Sequence, residues 1–554
     1  MIDPADWKPT GGLLLEPNAL SAVIEETRDT FVSAGPGAGK TELLAQRADF
    51  LLRTGLSPYP RRILALSFKV DAARNLRERV RARTGPGGAA RVDSLTFAAF
   101  AKRFVDNFLP VLQGPDRLDP DYRLDERVRV AQRQITFDDL VPLALRILDR
   151  NDFAARVTRR AYGHVFLDEF QDTTGRQYEL LRRLFHEQDA VVTAVGDFNQ
   201  RIMGWVPDAR DDVLDQYKAD FDVVPLTLYQ NRRSAPAVRR VVNRIVADLD
   251  APSAVPPEEI IGDEGTVQIL AFDTDRDEAE AVAATIRAWL DNGVPIGEIA
   301  VLIRQQPHLL GQQLMSALDR NEIAFRNEQV TQNSLAEPLA ELIVDFLRVI
   351  TGDREPEAYT RLLRLGSRLS TTEEAALRFD SRLKRFLRDC TLAAKDTTFD
   401  AGSTDAWRTL IGSFLTLIGR PTVNTLSAAY TQGIRYDEVI NETLALLEER
   451  LGTGDGALAG VRRLSEPDAI RVLTIHKCKG LEFQKVVVLG VERETFWSKP
   501  GKERATLSEF FVAVSRAKDE LVLTHTRQRS ADPTPLRWHE RRTPFGKYLA
   551  YAEV

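Results

Sequence analysis

The stretch Ser33–Glu42, which reads SAGPGAGKTE, limits the folds open to this chain more than any other segment. Three glycines and a Lys-Thr pair follow directly after the apolar run 30–32. A strand that turns sharply into a helix aims several backbone N–H groups at one point, where the helix dipole adds partial positive charge. Gly35, Gly37 and Gly39 let the backbone wrap an anion without Cβ clashes. The pattern therefore predicts a phosphate-binding loop between a strand and a helix.

The loop also carries side chains suited to a nucleoside triphosphate. Lys40 can reach the β- and γ-phosphates, and the Thr41 hydroxyl can ligate Mg²⁺. The strict loop pattern has glycine where this chain has Ala34, which is a small departure because glycines follow closely. A plain glycine-rich turn is the alternative, and the Lys-Thr pair in register with the following helix disfavours it. The predicted nucleotide-binding residues of the loop are Ala34, Gly35, Pro36, Gly37, Ala38, Gly39, Lys40 and Thr41.

A second apolar run ends in carboxylates. Residues 164–172 read HVFLDEFQD, and an apolar run that opens into two acidic residues is typical of a buried parallel strand at a catalytic edge. Asp168 fits as a Mg²⁺ ligand, together with Thr41. Glu169 can orient or deprotonate the attacking water. A solvated acidic turn is the alternative interpretation.

Length and composition limit the architecture and the compartment. The 554 residues exceed what one hydrophobic core usually supports, so about two to four packed units are expected. No apolar run is long enough to span a bilayer and residues 1–12 lack a signal-peptide layout, which predicts a cytoplasmic protein without a membrane partner. Cys390 and Cys478 are too few for a disulfide framework or a zinc site. The net charge of −6 does not favour nucleic acid, although the distribution of charge is the better guide.

Two series of β-branched apolar runs alternate with helical stretches. The first comprises 30–33, 63–68, 165–167 and 191–195, and the second comprises 267–272, 300–304, 470–475, 486–490 and 521–524. This alternation predicts an α/β fold with two parallel sheets covered by helices. Strands of the second series lie on both sides of a long helical stretch, so we expect an inserted helical subdomain. A shorter insert interrupts the first series.

Further segments bring the number of motifs to six. Residues 195–205 read VGDFNQRIMGW, where Gln200 could sense the γ-phosphate and Trp205 could stack on a base. The others are LYQNRRS at 228–234, LTIHKCKGLEF at 473–483 and FVAVSRA at 511–517. In this order, and over nearly the whole chain, the six motifs resemble those of superfamily 1A helicases of the UvrD/Rep family.

The resemblance implies two RecA-like P-loop NTPase cores, with ATP and Mg²⁺ in the cleft between them, and 3′ to 5′ movement on single-stranded DNA. The implied domains are a first core at 1–104 and 159–238 (1A), a small helical insert at 105–158 (1B), a second core at 239–350 and 466–554 (2A), and a helical insert at 351–465 (2B). By position, the implied catalytic residues are Lys40, Asp168, Glu169, Gln200, Arg233 and Arg516. Glu482 matches the residue that contacts the ribose. The DNA-contact candidates are Phe68, Thr96, Phe97, Trp205 and His476.

The chain departs from the family pattern around the nucleotide base. Family members carry a glutamine that reads adenine, where this chain has Ala19, and an aromatic that stacks on the base, where this chain has Arg232. A guanidinium can still stack on a ring, but it does not select adenine. We therefore expect Arg232 to lie beside the base and the nucleotide specificity to be relaxed. Ala98 replaces a family histidine, which puts one DNA contact in question.

Size is a second departure. Short inserts predict weak unwinding by the chain alone, and reduced helicases of this kind resemble the helicase subunit of the Gabija antiviral system, which works beside a separate nuclease. The expected partners are single-stranded or 3′-tailed DNA and a nuclease subunit, in DNA repair or in antiviral defence. The alternative function is a nucleotide-gated scaffold of a nuclease complex that does not unwind DNA. A catalytically inactive subunit is disfavoured because the predicted catalytic set is intact.

Overall fold

The computed structural model describes residues 1–68, 70–125, 128–204, 208–327, 337–352, 355–369, 373–396, 398–424, 426, 430, 435–451, 469–531 and 538–553. The chain divides into two compact units. The first comprises Met1–Val282, Val301–Gln312 and Thr474–Val554, and the second comprises Ala283–Ala300 and Gln313–Leu473. Within the described ranges, no helix combines the length and the apolar character needed to cross a bilayer.

The strands are β1 (Thr30–Ala34), β2 (Arg62–Ser67), β3 (Val92–Thr96), β4 (Arg123–Asp125), β5 (Gln134–Thr136), β6 (Tyr162–Leu167), β7 (Val191–Gly196), β8 (Val224–Leu228), β9 (Thr266–Thr274), β10 (Ile299–Ile303), β11 (Phe325–Asn327), β12 (Ile470–Thr474), β13 (Phe483–Leu489) and β14 (Ala517–Gln528). Each apolar run of the two predicted series coincides with one of these strands. The β-branched runs were therefore a sound guide to the strands.

The helices are α1 (Pro17–Ile24), α2 (Lys40–Thr54), α3 (Val70–Ala89), α4 (Phe97–Asn107), α5 (Leu140–Arg150), α6 (Asp152–Ala161), α7 (Gly175–Phe185), α8 (Val213–Phe221), α9 (Pro236–Leu249), α10 (Asp275–Asp291), α11 (Pro307–Leu310), α12 (Gln312–Arg320), α13 (Pro338–Thr351), α14 (Pro356–Leu369), α15 (Glu373–Lys395), α16 (Thr404–Ile418), α17 (Arg420–Asn424), α18 (Arg435–Leu451), α19 (Ile475–Cys478), α20 (Glu503–Val514) and α21 (Gly546–Leu549). Short 3₁₀ helices at Phe170–Asp172 and Phe198–Gln200 directly follow the carboxyl ends of β6 and β7.

The first sheet has the strand order β3-β2-β6-β7-β1-β8, and its pairs are parallel. Side chains alternate between its faces, as the period of two along a strand requires. On β2, Ile63 and Ala65 join the core beneath α1 and α2, whereas Leu64 and Leu66 join the opposite core beneath α4 and α5. Both faces are buried, which explains why its central strands are almost continuously apolar.

Two strands of this sheet were missed from the sequence, and both are edge strands. β3 reads VDSLT and β8 reads VPLTL, so neither shows a continuous apolar run. Pro225 lacks the N–H that a central strand would need, and it is tolerated because β8 lies at the edge.

The first unit also contains parallel strands of the second predicted series. Val486 of β13 is in register with Leu521 of β14, and Leu523 of β14 is in register with Ile269 of β9. In the second unit, β11 pairs with β12 in parallel. The predicted fold class, α/β with parallel sheets flanked by helices, is confirmed.

Helices build the core of the second unit. Phe346 of α13 stacks on Phe414 of α16, with ring centroids 4.2 Å apart, and Trp407 is fully buried and donates from Nε1 to the Ala401 carbonyl at 2.9 Å. The apolar residues of α13 belong to the same core as those of α16 and α18. By packing, α13 thus groups with the helices that follow residue 351, where the predicted insert begins. The domain limits stay predictions.

Candidate nucleotide-binding and hydrolysis site

The loop between β1 and α2 has the shape that anion binding requires. Gly37 and Gly39 have φ values of 72° and 89°, in the left-handed region that favours glycine. A Cβ on Gly37 would also lie only 2.6 Å from Cβ of Arg233. The glycine at this position therefore permits both the turn and the close approach of the segment that carries Arg233.

The start of α2 supplies the positive end of a helix to this loop. The N–H groups in the first turn of a helix have no acceptor within the helix, so they are available to phosphate oxygens. Lys40 is the first residue of α2, and its Nζ donates to the Ala34 carbonyl at 3.0 Å across the loop. All the predicted loop residues, Ala34 to Thr41, thus form one strand–turn–helix unit able to hold a triphosphate.

The acidic pair lies at the carboxyl end of β6. Asp168 is 4% exposed, and its Oδ1 accepts from the backbone N–H of Glu169 at 3.0 Å. Glu169 has φ 52° and ψ 45°, a conformation in which residues other than glycine are strained and which clusters at functional sites. The Glu169 carboxylate accepts a hydrogen bond from the Gln171 amide. The turn therefore holds a buried and a half-buried carboxylate side by side, which argues against a solvated acidic turn.

The pKa values of the two carboxyl groups are shifted in opposite directions. Burial, reinforced by the negative charge of Glu169, raises the pKa of Asp168. Burial also acts to raise the pKa of Glu169, but the positive charges of Lys40 and Lys479 outweigh it and lower this pKa below the ordinary value. An added positive charge next to Asp168 would therefore stabilise its ionised form.

A bound Mg²⁺ would supply this positive charge next to Asp168. It prefers oxygen ligands, keeps several waters and uses only one or two carboxylates together with substrate phosphates. The oxygen donors that would hold it are the Thr41 hydroxyl and the Asp168 carboxylate. Such a site needs no dedicated cage, and within the described residues no group of three or more His, Cys, Asp or Glu side chains could hold a metal ion. When bound, Mg²⁺ would neutralise charge on the β- and γ-phosphate oxygens.

Gln200 and Arg516 meet at the same place from positions 316 residues apart in the chain. The Nη2 group of Arg516 donates to Oε1 of Gln200 at 2.8 Å, and Nε2 of Gln200 donates to Asp197 at 2.7 Å. Arg516 is 2% exposed, and its other N–H groups donate to the carbonyls of Val512 and Leu481. The guanidinium is thus held rigidly beside Gln200.

Arg233 approaches the same site from the segment after β8. Its Nε lies 2.6 Å from Oε2 of Glu482. Burial and the nearby charge of Arg516 lower the pKa of Arg233 to about 10, so the guanidinium stays protonated at neutral pH. The two cations repel each other across the site, which is the arrangement expected where an anion is to be bound between them.

A buried ion pair that sequence reasoning missed joins two of the motifs. Lys479 donates from Nζ to Oδ2 of Asp172 at 2.6 Å and to the Gln200 carbonyl at 2.9 Å, and both charged side chains are almost fully buried. Both residues lie inside motifs that the sequence had singled out. The missing information was the pairing, because nothing in the chain tells which lysine meets which aspartate 307 residues away.

Comparisons with known proteins agree with this geometry. The family model for the UvrD/REP helicase N-terminal domain matches residues 15–134 and 120–222, and the model for the UvrD-like helicase C-terminal domain matches residues 457–528. The chain belongs to the UvrD/Rep helicase family. It is thus an enzyme of a DNA helicase family, as its motifs predicted.

Named relatives of this helicase are similar over most of their length. The ATP-dependent DNA helicase PcrA of Bacillus subtilis is 23% identical over 93% of this chain and 83% of its own length. DNA helicase II of Escherichia coli is 24% identical over 92% of this chain and 84% of its own length. The ATP-dependent DNA helicase Rep of Escherichia coli is 23% identical, with 93% and 91% covered.

The DNA-contact candidates of the helicase are placed less uniformly than the ATP-site candidates. Phe68 is half-buried just beyond β2, and His476 is half-buried with Nε2 3.6 Å from Oε1 of Glu509. The Thr96 hydroxyl caps α4 by accepting from the Ala99 N–H at 3.1 Å. Trp205 lies outside the described residues. These positions are compatible with DNA contact, and the roles stay predictions.

Phe97 requires a correction. Its side chain is 3% exposed and belongs to the core between the first sheet and α4. A ring in that position cannot stack on a base in this structure. The residue lies at a strand end, as expected, but it begins an amphipathic helix whose apolar face points inward.

The segments around the expected base position contact each other directly. The Asn18 amide donates to the Thr227 carbonyl at 2.8 Å, and Glu16 accepts from the backbone N–H of Gln230 at 3.2 Å. Ala19 is 5% exposed and packs into the core. Arg232 has an exposed side chain that donates to Gln230, and its backbone N–H donates to the Gly37 carbonyl at 3.1 Å. Arg232 thus lies next to the phosphate loop.

Proposed function

We propose that this helicase binds ATP with Mg²⁺ at the site described, hydrolyses it, and couples hydrolysis to 3′ to 5′ movement on single-stranded DNA. One observation carries the proposal: Arg516 donates to Gln200, and the positive charges of Arg516 and Lys40 both act on the Glu169 carboxylate. Residues from distant parts of the chain therefore surround one place where a γ-phosphate would lie.

Each residue then has a task that follows from its chemistry. Lys40 and the N–H groups of α2 hold the β- and γ-phosphates, while Arg233 and Arg516 offset the charge that spreads over the γ-phosphoryl oxygens. Glu169 accepts a hydrogen bond from the attacking water and orients it. Gln200 lies between Arg516 and Asp197, so a change at the phosphate would be passed to both neighbours.

Movement requires that DNA grip depends on the state of this site. The carboxyl ends of parallel strands form the edge at which ligands bind in α/β sheets. Phe68 follows β2 and Thr96 ends β3 at the same edge of the sheet, and β2 neighbours β6, whose carboxyl end leads into Asp168 and Glu169. His476 and Lys479 lie in one segment, so a shift of Lys479 relative to Asp172 would also move His476. This sharing of elements supports coupling between hydrolysis and DNA.

Strand displacement tests the proposed direction. With ATP and Mg²⁺, we expect release of the labelled strand from a short duplex with a 3′ single-stranded tail, and at least tenfold slower release from a duplex with a 5′ tail. Glu169→Gln is the control, because it keeps the fold and removes the proposed base. Hydrolysis without displacement on either substrate would instead favour the nucleotide-gated scaffold. A nuclease partner, DNA repair, antiviral defence and a cytoplasmic location stay predictions from the resemblance and the sequence.

Relaxed nucleotide specificity is part of the proposal. Ala19 is packed into the core and offers no polar group to a base, and Arg232 can stack on any ring. We expect kcat/KM for GTP and CTP within about tenfold of that for ATP, since phosphate contacts would dominate binding. Arg232→Tyr should keep hydrolysis of all three nucleotides. A preference of the wild type for ATP above a hundredfold would contradict this part of the proposal and leave the hydrolysis site intact.

A further inference from the structure

A cavity of about 390 Å³ lies in the first unit, at the edge of the first sheet that is opposite to the hydrolysis site. Two of its lining residues, Arg62 and Tyr162, begin β2 and β6 and are in register. The hydrolysis site lies beyond the carboxyl ends of these strands. Because β2 has 6 residues and a strand rises about 3.3 Å per residue, about 20 Å separates the two edges. The cavity is therefore distinct from the hydrolysis site.

One wall of the cavity is aromatic. Phe100, Phe104 and Phe108 recur at every fourth position along α4 and at its end, and their ring centroids are 6.5 and 5.1 Å apart. Phe100 and Phe104 are each 3% exposed and belong to the core, so little of either ring face is accessible. These rings give the cavity an apolar wall, but they do not offer an open face on which a nucleobase could stack.

The polar side of the cavity carries two arginines and one aspartate. Arg62 donates from Nε to Oδ2 of Asp93 at 3.1 Å and from Nη2 to Oδ1 at 2.5 Å, and Nη2 of Arg103 lies 3.3 Å from Oδ2. The Tyr162 hydroxyl donates to the same carboxylate at 2.7 Å. Burial acts to raise the pKa of Asp93, but the hydrogen bonds from Arg62 and Tyr162 and the charges of the arginines outweigh it and lower this pKa. One ionised carboxylate cannot neutralise two guanidinium groups, so the cavity carries excess positive charge.

An exposed apolar face of α6 continues the cavity. Val157 lines the cavity and is 41% exposed, and Phe153, one turn earlier on the same face, is 58% exposed. The core uses a different face of this helix, which carries Ala154, Ala155 and Thr158. Burial of α6 against the core therefore does not account for the two exposed apolar side chains.

Exposed arginines flank this apolar pair. Arg156 and Arg160 are one turn apart on α6, and Asp152 is the one acidic residue of this helix. Together with the two arginines of the cavity they form a cationic rim, although the whole chain has a net charge of −6. An exposed apolar patch with a polar rim is typical of a protein-binding surface, and the sign of the rim selects the charge of the partner.

We infer that the cavity and the exposed face of α6 bind an acidic segment of a partner protein, which inserts an aromatic or large aliphatic side chain into the cavity. The carboxylates of that segment would contact the cationic rim, while the inserted side chain would contact the aromatic wall. The rim would also attract a nucleic-acid backbone, but a backbone has no apolar group that could fill the cavity. The site does not depend on the proposed function, because it shares no residue with the hydrolysis site.

Binding of a defined peptide to the full-length chain tests this site. The probe is a fluorescein-labelled peptide of the sequence Gly-Asp-Asp-Phe-Asp-Asp-Gly, and its binding is followed by fluorescence anisotropy. We expect saturable binding that becomes about tenfold weaker or more when alanine replaces the phenylalanine, because the cavity is then left unfilled. A similar loss is expected when asparagine replaces every aspartate, because the rim then has no negative charge to bind.

Two substitutions at exposed positions of α6 test the site from the side of the protein. Val157→Asp puts a carboxylate at the cavity and Arg160→Glu reverses one charge of the rim, so we expect each to weaken peptide binding by about tenfold or more. The matched controls are Leu392→Asp and Arg382→Glu, which make the same changes at exposed positions of α15. Melting temperatures check the fold, and ATP hydrolysis should be the same in these variants as in the wild type.

The outcomes separate a protein partner from nucleic acid. Failure of the wild type to bind the peptide, or equal binding by Val157→Asp and Leu392→Asp, would overturn the inference. Displacement of the peptide by the oligonucleotide dT20, with Arg160→Glu weakening dT20 binding as much as peptide binding, would also overturn it, since the rim would then hold a nucleic-acid strand. A wild type that binds the peptide at this site but does not hydrolyse ATP would support the site and contradict only the proposed function.

Discussion

Replacing Arg516 by lysine is expected to lower kcat for ATP hydrolysis by about a thousandfold or more. An arginine that contacts the transferring phosphoryl group contributes roughly 10³ to 10⁵ to kcat, and lysine cannot bridge two oxygens with a planar fork. The variant would also lose the geometry that joins Nη2 to Gln200. Steady-state hydrolysis at saturating ATP and single-stranded DNA measures the effect.

Two controls separate this effect from unfolding. Arg382→Lys changes an exposed arginine on α15 and should leave kcat unchanged. The melting temperature of Arg516→Lys should fall only modestly, because the positive charge and part of the hydrogen bonding remain. A folded Arg516→Lys variant with at least a third of the wild-type kcat would show that Arg516 does not act on the γ-phosphate.

Replacing Arg529 by methionine is expected to destabilise the first unit by about 3–5 kcal/mol, because it leaves buried carboxylates without their cation. Arg529 donates to Glu278 from Nη1 and Nη2 at 2.7 and 2.8 Å, and its Nε donates to Glu492 at 2.9 Å. All three side chains are at most 2% exposed. Burial lowers the pKa of Arg529, but the two carboxylates outweigh it and raise this pKa above the ordinary value.

Arg527→Met is the matched control for this prediction. Arg527 lies two residues earlier, near the end of β14, and its pair with Asp273 joins side chains that are 78% and 77% exposed. Exposed pairs contribute about 0–1 kcal/mol, so this variant should unfold almost like the wild type. Urea unfolding followed by limited proteolysis measures the stability of both variants. The proteolytic fragments are assigned to the first unit. Equal stability of the two variants would refute the structural role of Arg529.

The sequence predicted the parts of the structure that depend on local pattern. The apolar runs located the strands with continuous cores, and the Gly-rich loop located the start of α2 at Lys40. The edge strand β8 was missed because Pro225 and Thr227 interrupt the apolar pattern. Helix α13 belongs to the second unit, where Phe346 packs on Phe414. This placement depends on contacts between distant helices and not on local sequence pattern.

The site divides in the same way. The order of the motifs predicted that Gln200, Arg233 and Arg516 lie close together. The structure places them together. The pairing of Lys479 with Asp172 could not be foreseen, because it is a contact between buried groups far apart in the chain. Phe97 was wrongly predicted to contact DNA. A residue at a strand end can also begin a helix and turn its ring into the core. Burial is a property of the folded chain that position within a motif does not reveal.

We propose that the residues around Lys40 form one hydrolysis site whose activity depends on DNA. ATP hydrolysis should therefore be measured with and without single-stranded DNA for the wild type and for Lys40→Ala, at protein concentrations where both are folded. We expect at least tenfold stimulation of the wild type by DNA and loss of nearly all hydrolysis in Lys40→Ala under both conditions. Hydrolysis by the wild type that DNA leaves unchanged, or a Lys40→Ala variant as active as the wild type, would refute a single DNA-dependent hydrolysis site.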